Sequence, residues 1–177
     1  SMQGRIDKAF ADMKALESGA IANPDEKRMV GHYWLRNSSL APTPELKAAI
    51  DGPLADVKAF GRDVLDGKIT PPRAEQYSAA LVIGIGGSAL GPQLIQMAVN
   101  GPYWNEKSSA QRNGNLKIYF LDNTDTAGLA DALQVADLET TLVVNISKSG
   151  GTQETKNNMI ACMQYYAAAG LDFAKHA

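Results

Sequence analysis

Three short apolar runs, each followed by a stretch of helical periodicity, organise the second part of the chain. The predicted strands cover residues 81–85, 116–121 and 142–146. The predicted helices cover residues 90–99, 126–138 and 152–169. Continuous apolar runs are typical of strands covered on both faces, and regular alternation of strands with helices is typical of a parallel sheet. The pattern therefore predicts an α/β fold built as β-α-β-α-β-α.

The preceding part, residues 1–72, shows helical periodicity and no strand pattern, so we predict an entirely helical amino-terminal segment. One helix is expected over residues 2–20. Another is expected to begin at Asn23, which can cap a helix and stands three residues before Glu26, as in a capping box.

A further helical pattern begins at Thr43, a capping residue that is followed directly by Pro44. Gly52 and Pro53 are expected to end this helix, because proline lacks the amide hydrogen that a helix interior uses. A separate helix is then expected to continue to Asp66. We divide the chain into this amino-terminal segment, residues 1–72, and a partial sheet domain, residues 73–177.

Composition argues against several classes of function. The formal net charge is −2, whereas sequence-independent nucleic-acid binders carry a basic face. No apolar run approaches the roughly 20 residues of a membrane-spanning helix, and no signal-peptide pattern is present. We therefore expect a cytoplasmic protein with no nucleic-acid or membrane partner. Cys162 is the single cysteine, and its place on a predicted helix favours a buried, unreactive thiol.

Two loops rich in glycine and hydroxyl residues follow the first and third predicted strands. Residues 84–91 read GIGGSALG, and residues 147–155 read SKSGGTQET. Amide groups at a helix N-terminus attract anions, glycine allows a close approach of the backbone, and hydroxyls add short hydrogen-bond donors. Loops on neighbouring parallel strands converge at the carboxyl edge of the sheet. The sequence therefore predicts a phosphate site at that edge.

The common nucleotide-binding motifs fit these loops poorly. Gly84, Gly86 and Ala89 match a loose dinucleotide fingerprint, but the acidic Asp122 comes much later than the usual ~20 residues after the loop. Lys148 stands next to a serine without the spacing of a P-loop. A loop that only joins a strand to a helix explains one glycine-rich stretch. It explains two poorly, because the second combines Lys148 with three hydroxyl residues.

The chain as a whole resembles the amino-terminal part of glucose-6-phosphate isomerases (phosphoglucose isomerases) of the bacterial type. The likeness lies in residues 23–37 (NPDEKRMVGHYWLRN), 82–92 (VIGIGGSALGP) and 147–155 (SKSGGTQET). It implies a doubly wound parallel sheet of the sugar-isomerase (SIS) type, in which a hexose 6-phosphate binds between two such domains. Three strands are few for this fold, so we expect a truncated part of a longer protein.

The resemblance also implies roles for individual residues. In the family, the phosphate is held by hydroxyls matching Ser147, Ser149 and Thr152 and by the amides of that loop, while Gln153 and Glu154 are expected to brace it. The substrate- and phosphate-binding residues are expected to be Gly87, Ser88, Ser147, Lys148, Ser149, Gly150, Gly151 and Thr152.

The reaction implied by the resemblance interconverts glucose 6-phosphate and fructose 6-phosphate through ring opening and proton transfer between C1 and C2. It requires no metal, no nicotinamide and no other cofactor. Its acid–base groups are a glutamate, a histidine and a lysine that the family carries later in the chain, so no catalytic residue is assignable within residues 1–177. We expect this chain to carry the phosphate-binding loops and to be inactive alone.

The family also implies an assembly. It usually forms homodimers, which is the oligomer expected of the full-length protein. Its usual strand order, 2-1-3-4-5, would leave strand 142–146 as an unpaired edge in a truncated chain. Such an edge invites pairing with another chain, so self-association of the chain is expected.

Two alternatives remain open from the sequence. A non-catalytic SIS-type module could sense a sugar phosphate and regulate a partner. A dinucleotide-binding domain would be stabilised by NAD and not by a sugar phosphate. The helical amino-terminal segment, which matches the isomerase family, favours the enzyme.

Overall fold

The chain forms two compact units in the computed structural model, which describes residues 2–177. The first unit ends at Gly61, and the second covers Arg62–Ala177. Within the described residues, no helix combines the length and apolarity needed to cross a membrane.

The first unit opens with helix α1 (Met2–Glu17), as predicted for residues 2–20. None of its described side chains is buried, although Ile6 and Phe10 belong to an apolar stripe. The carbonyl of Glu17 accepts a hydrogen bond from Nε1 of Trp34 (2.9 Å), the buried residue of the short helix α2 (His32–Arg36). A buried indole N–H needs such a partner, so this bond holds α2 against the end of α1.

The prediction of a helix beginning at Asn23 is wrong, and with it the prediction of an entirely helical segment. Two short antiparallel strands occupy this stretch, β1 (Ile21–Asn23) and β2 (Arg28–Met29). Asn23 Oδ1 does accept a hydrogen bond from the Glu26 amide (3.1 Å), as a helix cap would. Lys27 then adopts a φ of 53°, which ends any helical path, so the same side-chain bond closes a turn instead.

The prediction that Gly52 and Pro53 end a helix is also wrong. Helix α3 runs without interruption over Pro44–Leu65 and contains Pro53. The residue before a proline normally avoids the helical region because its Cβ meets the proline ring, and Gly52 has no Cβ. The predicted start is confirmed: Thr43 Oγ1 accepts a hydrogen bond from the Leu46 amide (3.2 Å).

The second unit confirms the predicted alternation of strands and helices. Its strands are β3 (Ala79–Ile83), β4 (Lys117–Leu121) and β5 (Thr141–Asn145). Its helices are α4 (Gly87–Asn100), α5 (Thr126–Val135) and α6 (Gln153–Ala168). The sheet is parallel with the order β4-β3-β5, so the strand that comes first in sequence lies in the centre. This order corresponds to 2-1-3 of the expected topology.

The sheet is packed on both faces. All five residues of β3 are buried, as its continuous apolar run predicts. The larger core cluster joins β3, β4 and β5 to α5 and α6, and includes Leu81, Ile83, Leu121, Leu129, Val143, Cys162 and Tyr166. A smaller cluster contains Val64, Tyr77 and Leu142, and Leu142 is the strand neighbour of Val143, so its side chain lies on the other face of the sheet. The strand register pairs Ile83 with Leu121 and with Asn145, so the carboxyl ends of the three strands lie level.

The outer edge of β5 is partly covered by the end of the chain itself. The Val143 amide donates to the His176 carbonyl (2.7 Å), and Tyr166 Oη donates to the Thr141 carbonyl (3.2 Å). Gly170, with a φ of 70°, turns the chain back after α6 and brings His176 to the strand edge. The expectation of an unpaired edge is therefore wrong for this part of the strand.

Candidate functional site

The two glycine-rich loops leave the sheet side by side. Ile83, the last residue of β3, is opposite Asn145, the last residue of β5, and its carbonyl accepts a hydrogen bond from the Ile146 amide (2.8 Å). The next strand in sequence after β3 lies on one side of it, and the following strand lies on the other. Ligands in open α/β folds bind outside the carboxyl ends of strands at such a switch point.

The first loop passes directly into the first turn of α4. Gly86 precedes the helix with a φ of 53° and a ψ of −127°, a combination that favours glycine. The Leu90 amide donates to the Gly86 carbonyl (2.8 Å), and the Ser88 amide donates to Ile85 (3.1 Å). Gly87 and Ser88 therefore lie in the first turn of α4. The helix begins at Gly87 and not at residue 90 as predicted, so the loop is about one helical turn shorter than expected.

The second loop is held by its own hydroxyl groups. Ser147 Oγ accepts a hydrogen bond from the Gly150 amide (3.1 Å) and lies 3.0 Å from Thr152 Oγ1. Ser149 Oγ accepts one from the Gly151 amide (3.2 Å). Gly150 adopts a φ of 70°, which reverses the loop tightly enough for these bonds to form. The loop is thus folded around its serine and threonine oxygens.

A cavity of about 480 Å³ lies between this loop and helix α6. This volume is in the range of small-molecule sites. Five of the predicted residues line it: Ser147, Gly150, Gly151, Thr152 and Gln153. The other predicted residues are not among its lining: Gly87, Ser88, Lys148, Ser149 and Glu154. The structure therefore gathers the predicted loop on one side of a cavity and places the first loop at the neighbouring strand end.

Four cavity-lining residues were missed from the sequence: Asn145, Thr155, Lys156 and Met159. Helical spacing could have indicated three of them. Thr155, Lys156 and Met159 come three, four and seven residues after Thr152, and such positions share one face of a helix. Asn145 ends β5, and its Nδ2 lies 3.3 Å from Met159 Sδ. A polar residue at the end of an apolar strand was the available signal.

The start of α6 gives the cavity a positive character. Thr152 is the N-cap residue, but its side chain makes no capping bond within the described chain, and its Oγ1 lies 3.0 Å from Ser147 Oγ. The first-turn amides of a helix carry a partial positive charge when uncapped. Lys156 adds a cation one turn further on. Glu154 is exposed and does not line the cavity.

The cavity offers groups suited to an anion and few suited to acid–base chemistry. Among the described side chains that line it, none is a carboxylate, an imidazole or a thiol. Lys156 is the one ionisable group in this set. The arrangement of hydroxyls, amides and one cation matches the chemistry of phosphate recognition.

Comparisons with known proteins agree on one family. The family model described as phosphoglucose isomerase matches residues 5–176. A glucose-6-phosphate isomerase of Acaryochloris marina is 51% identical over 99% of this chain, and the chloroplastic glucose-6-phosphate isomerase 1 of Arabidopsis thaliana is 48% identical over 98% of it. The chain covers 32% and 27% of these two relatives, respectively.

A solved structure shows the same fold. The crystal structure of a glucose-6-phosphate isomerase from Chlamydia trachomatis is similar with a TM-score of 0.71 and 29% sequence identity. The similarity covers 94% of this chain and 31% of that chain. The chain thus spans about a third of the length of the proteins it matches.

Proposed function

This chain belongs to the phosphoglucose isomerase family, and we propose that it supplies the phosphate-binding part of an enzyme that interconverts glucose 6-phosphate and fructose 6-phosphate. The observation that carries the proposal is the hydroxyl-lined cavity at the uncapped start of α6. The fit between this cavity and a phosphate dianion supports the substrate class, and the names of the relatives support the sugar.

In this proposal the loop oxygens change partners when the substrate binds. Ser147 and Ser149 accept hydrogen bonds from loop amides, and Ser147 shares one with Thr152. A hydroxyl that accepts from an amide still has its own hydrogen to donate. The three hydroxyls and the first-turn amides of α6 would donate to the phosphoryl oxygens. Lys148 and Lys156 would offset the charge.

The remaining predicted residues take supporting roles. Gly87 and Ser88, at the N-terminus of α4, would lie beside the sugar, because their loop leaves the strand next to β5. Gln153 and Glu154 would keep the start of α6 in place. Gln153 Nε2 donates to Asn157 Oδ1 (2.7 Å), which supports this role for Gln153.

We propose further that the residues performing proton transfer lie outside these 177 residues. The cavity supplies no carboxylate or imidazole among its described lining side chains, and isomerisation needs a general base near the substrate carbons. Purified chain is expected to show no isomerase turnover in a coupled assay, and measurable turnover would contradict the proposal that the acid–base residues lie elsewhere.

For the whole protein we propose a cytoplasmic homodimer that needs no cofactor.

The binding proposal is tested by an amide NMR titration of the chain with fructose 6-phosphate, beside inorganic phosphate and NAD. Amide shifts are expected in the 147–153 loop and near Gly87 and Ser88, with the sugar phosphate and not with NAD. A well-dispersed spectrum that stays unchanged at these amides would contradict the proposal.

Two serine variants make the titration specific. Ser147→Ala removes an oxygen that accepts a hydrogen bond from the amide three residues later. Ser108→Ala removes an equivalent bond outside the cavity, in which the Gln111 amide donates to Ser108 Oγ (3.3 Å). Ser147→Ala is expected to weaken binding of fructose 6-phosphate about tenfold, and Ser108→Ala is expected to leave it unchanged.

The absence of acid–base side chains from the described lining also fits a second candidate, a sugar-phosphate sensor without catalysis. The two candidates predict different domains after this segment in the full-length protein. A following second SIS domain with an acidic catalytic residue would favour the isomerase, and a following effector domain would favour the sensor.

A further inference from the structure

Thr155 is a buried hydroxyl residue at the base of the cavity. It is the third residue of α6, it is 3% exposed, and it lines the cavity with Thr152 and Lys156. It lies on the stripe of α6 that faces the core, together with Asn158, Cys162 and Tyr166. Thr155 is therefore the point at which the helix passes from the core to the cavity.

The other polar groups on this stripe have evident partners. Asn158 Nδ2 donates to the Asn123 carbonyl (2.8 Å), and Tyr166 Oη donates to the Thr141 carbonyl (3.2 Å). Thr155 Oγ1 is buried and has no hydrogen-bond partner within residues 2–177. Buried polar groups are nearly always paired in folded proteins, because an unpaired one loses its bonds to water without replacement.

Thr141 provides a comparison within the same unit. It is also fully buried, but its Oγ1 donates to the Asp137 carbonyl (2.6 Å). Core packing alone would be served at position 155 by valine, which has nearly the same shape and no hydroxyl. The hydroxyl of Thr155 therefore makes no hydrogen bond within the described residues that would stabilise the fold.

The position of Thr155 at the start of α6 allows its hydroxyl to face a bound anion. Threonine in a helix adopts two side-chain rotamers, which exchange the positions of its hydroxyl and methyl groups. The residue lies in the first turn of α6, whose N-cap side chain makes no capping bond within the described chain. A donor at this position adds to the field of the first-turn amides, which favours an anion.

We propose that Thr155 is a ligand-binding residue of the cavity, and that its hydroxyl donates a hydrogen bond to the phosphoryl group of the bound sugar phosphate. This inference rests on the function proposed above, since it needs a phosphate in the cavity. It adds a fourth hydroxyl to Ser147, Ser149 and Thr152, and this one comes from the helix and not from the loop. The phosphate is then held from two sides.

The test compares Thr155→Val and Thr155→Ser with Thr141→Val as the matched control. Each protein is titrated with inorganic phosphate and with fructose 6-phosphate, and its thermal midpoint is measured without ligand. Thr155→Val is expected to weaken both ligands about tenfold and not to lower the midpoint. Thr155→Ser, which keeps the hydroxyl, is expected to retain binding. Thr141→Val is expected to lower the midpoint and leave both affinities unchanged.

Other results overturn the inference in distinguishable ways. If the wild type binds both ligands and Thr155→Val binds them with the same affinities, Thr155 is not part of the site and the proposed function stands. A loss confined to fructose 6-phosphate would overturn the assignment to the phosphoryl group. A midpoint lowered as far as in Thr141→Val would show that the hydroxyl is already paired in the fold. Absence of binding by the wild-type chain would overturn both proposals.

Discussion

The side chain of Asn105 forms two hydrogen bonds with the backbone of Ile118. Its Nδ2 donates to the Ile118 carbonyl (2.8 Å), and its Oδ1 accepts from the Ile118 amide (2.9 Å). Ile118 belongs to β4, an outer strand of the sheet. Nearby, Trp104 Nε1 donates to the Leu116 carbonyl (2.9 Å). Side chains thus take the place of a neighbouring strand along part of this edge, which limits pairing with another chain.

Replacing Asn105 with aspartate is expected to destabilise the second unit by about 2 kcal/mol. The substitution preserves shape, but it turns the donor into a second oxygen that faces the Ile118 carbonyl. Urea denaturation measures the change. Asn157→Asp is the control, because Asn157 is exposed and its side-chain oxygen only accepts a bond from Gln153. Equal stability of the two variants would contradict the bidentate role of Asn105.

His176 is expected to make the second unit less stable in mild acid. Its ring is buried against Tyr77 and Tyr166, and this burial lowers the pKa of the imidazole below its ordinary value of 6.5. Well above pH 6.5 the ring is neutral in both the folded and unfolded states. As the pH falls below 6.5, the unfolded state binds the proton first, so the free energy of unfolding decreases.

The measurement is urea denaturation between pH 8 and pH 5 of the wild type and His176→Phe. The phenylalanine variant keeps an aromatic ring in the cluster and removes the titration. Its free energy of unfolding is expected to fall less over this range, since it lacks the His176 imidazole and shares every other ionisable group with the wild type. Parallel pH profiles of the two proteins would contradict this role of His176.

Cys162 is expected to be unreactive in the folded chain. Its side chain is fully buried, and this burial raises the pKa of the thiol to about 11. The thiolate is the reactive form, so little of it exists at neutral pH and a reagent has no access to it. A thiol-reactive chromophore is expected to modify Cys162 only after urea is added. Rapid modification without urea would show that α6 separates from the sheet in the native protein.

Pro53 offers a direct check on the uninterrupted helix α3. Pro53→Ala would restore an amide donor in the helix interior and is expected to stabilise the first unit by about 1–2 kcal/mol, after allowance for the freer unfolded chain. Pro44→Ala is the control, because the first residue of a helix needs no amide donor. Circular dichroism during thermal unfolding compares them. A gain from Pro44→Ala alone would contradict a helix that continues through Pro53.

The sequence predicted the sheet unit well and the first unit less well, for a physical reason. The strands of the second unit are buried on both faces, so their apolar runs are continuous and easily recognised. In the first unit, Asn23 has the chemistry of a helix cap and makes the expected bond to the Glu26 amide. Whether that bond starts a helix or closes a turn depends on the next residues, and Lys27 leaves the helical region.

For the candidate site, the sequence by itself determined the kind of chemistry: glycines and hydroxyls at the start of α6, where the backbone attracts anions. Only the tertiary structure decided which residues share a cavity. It joined Ser147 and Thr152 to Asn145 and Lys156, and it left Lys148 outside the lining. Local sequence sets the groups that a loop offers. Which of them face a common space depends on strand register and helix orientation, and these are set by contacts between residues far apart in the chain.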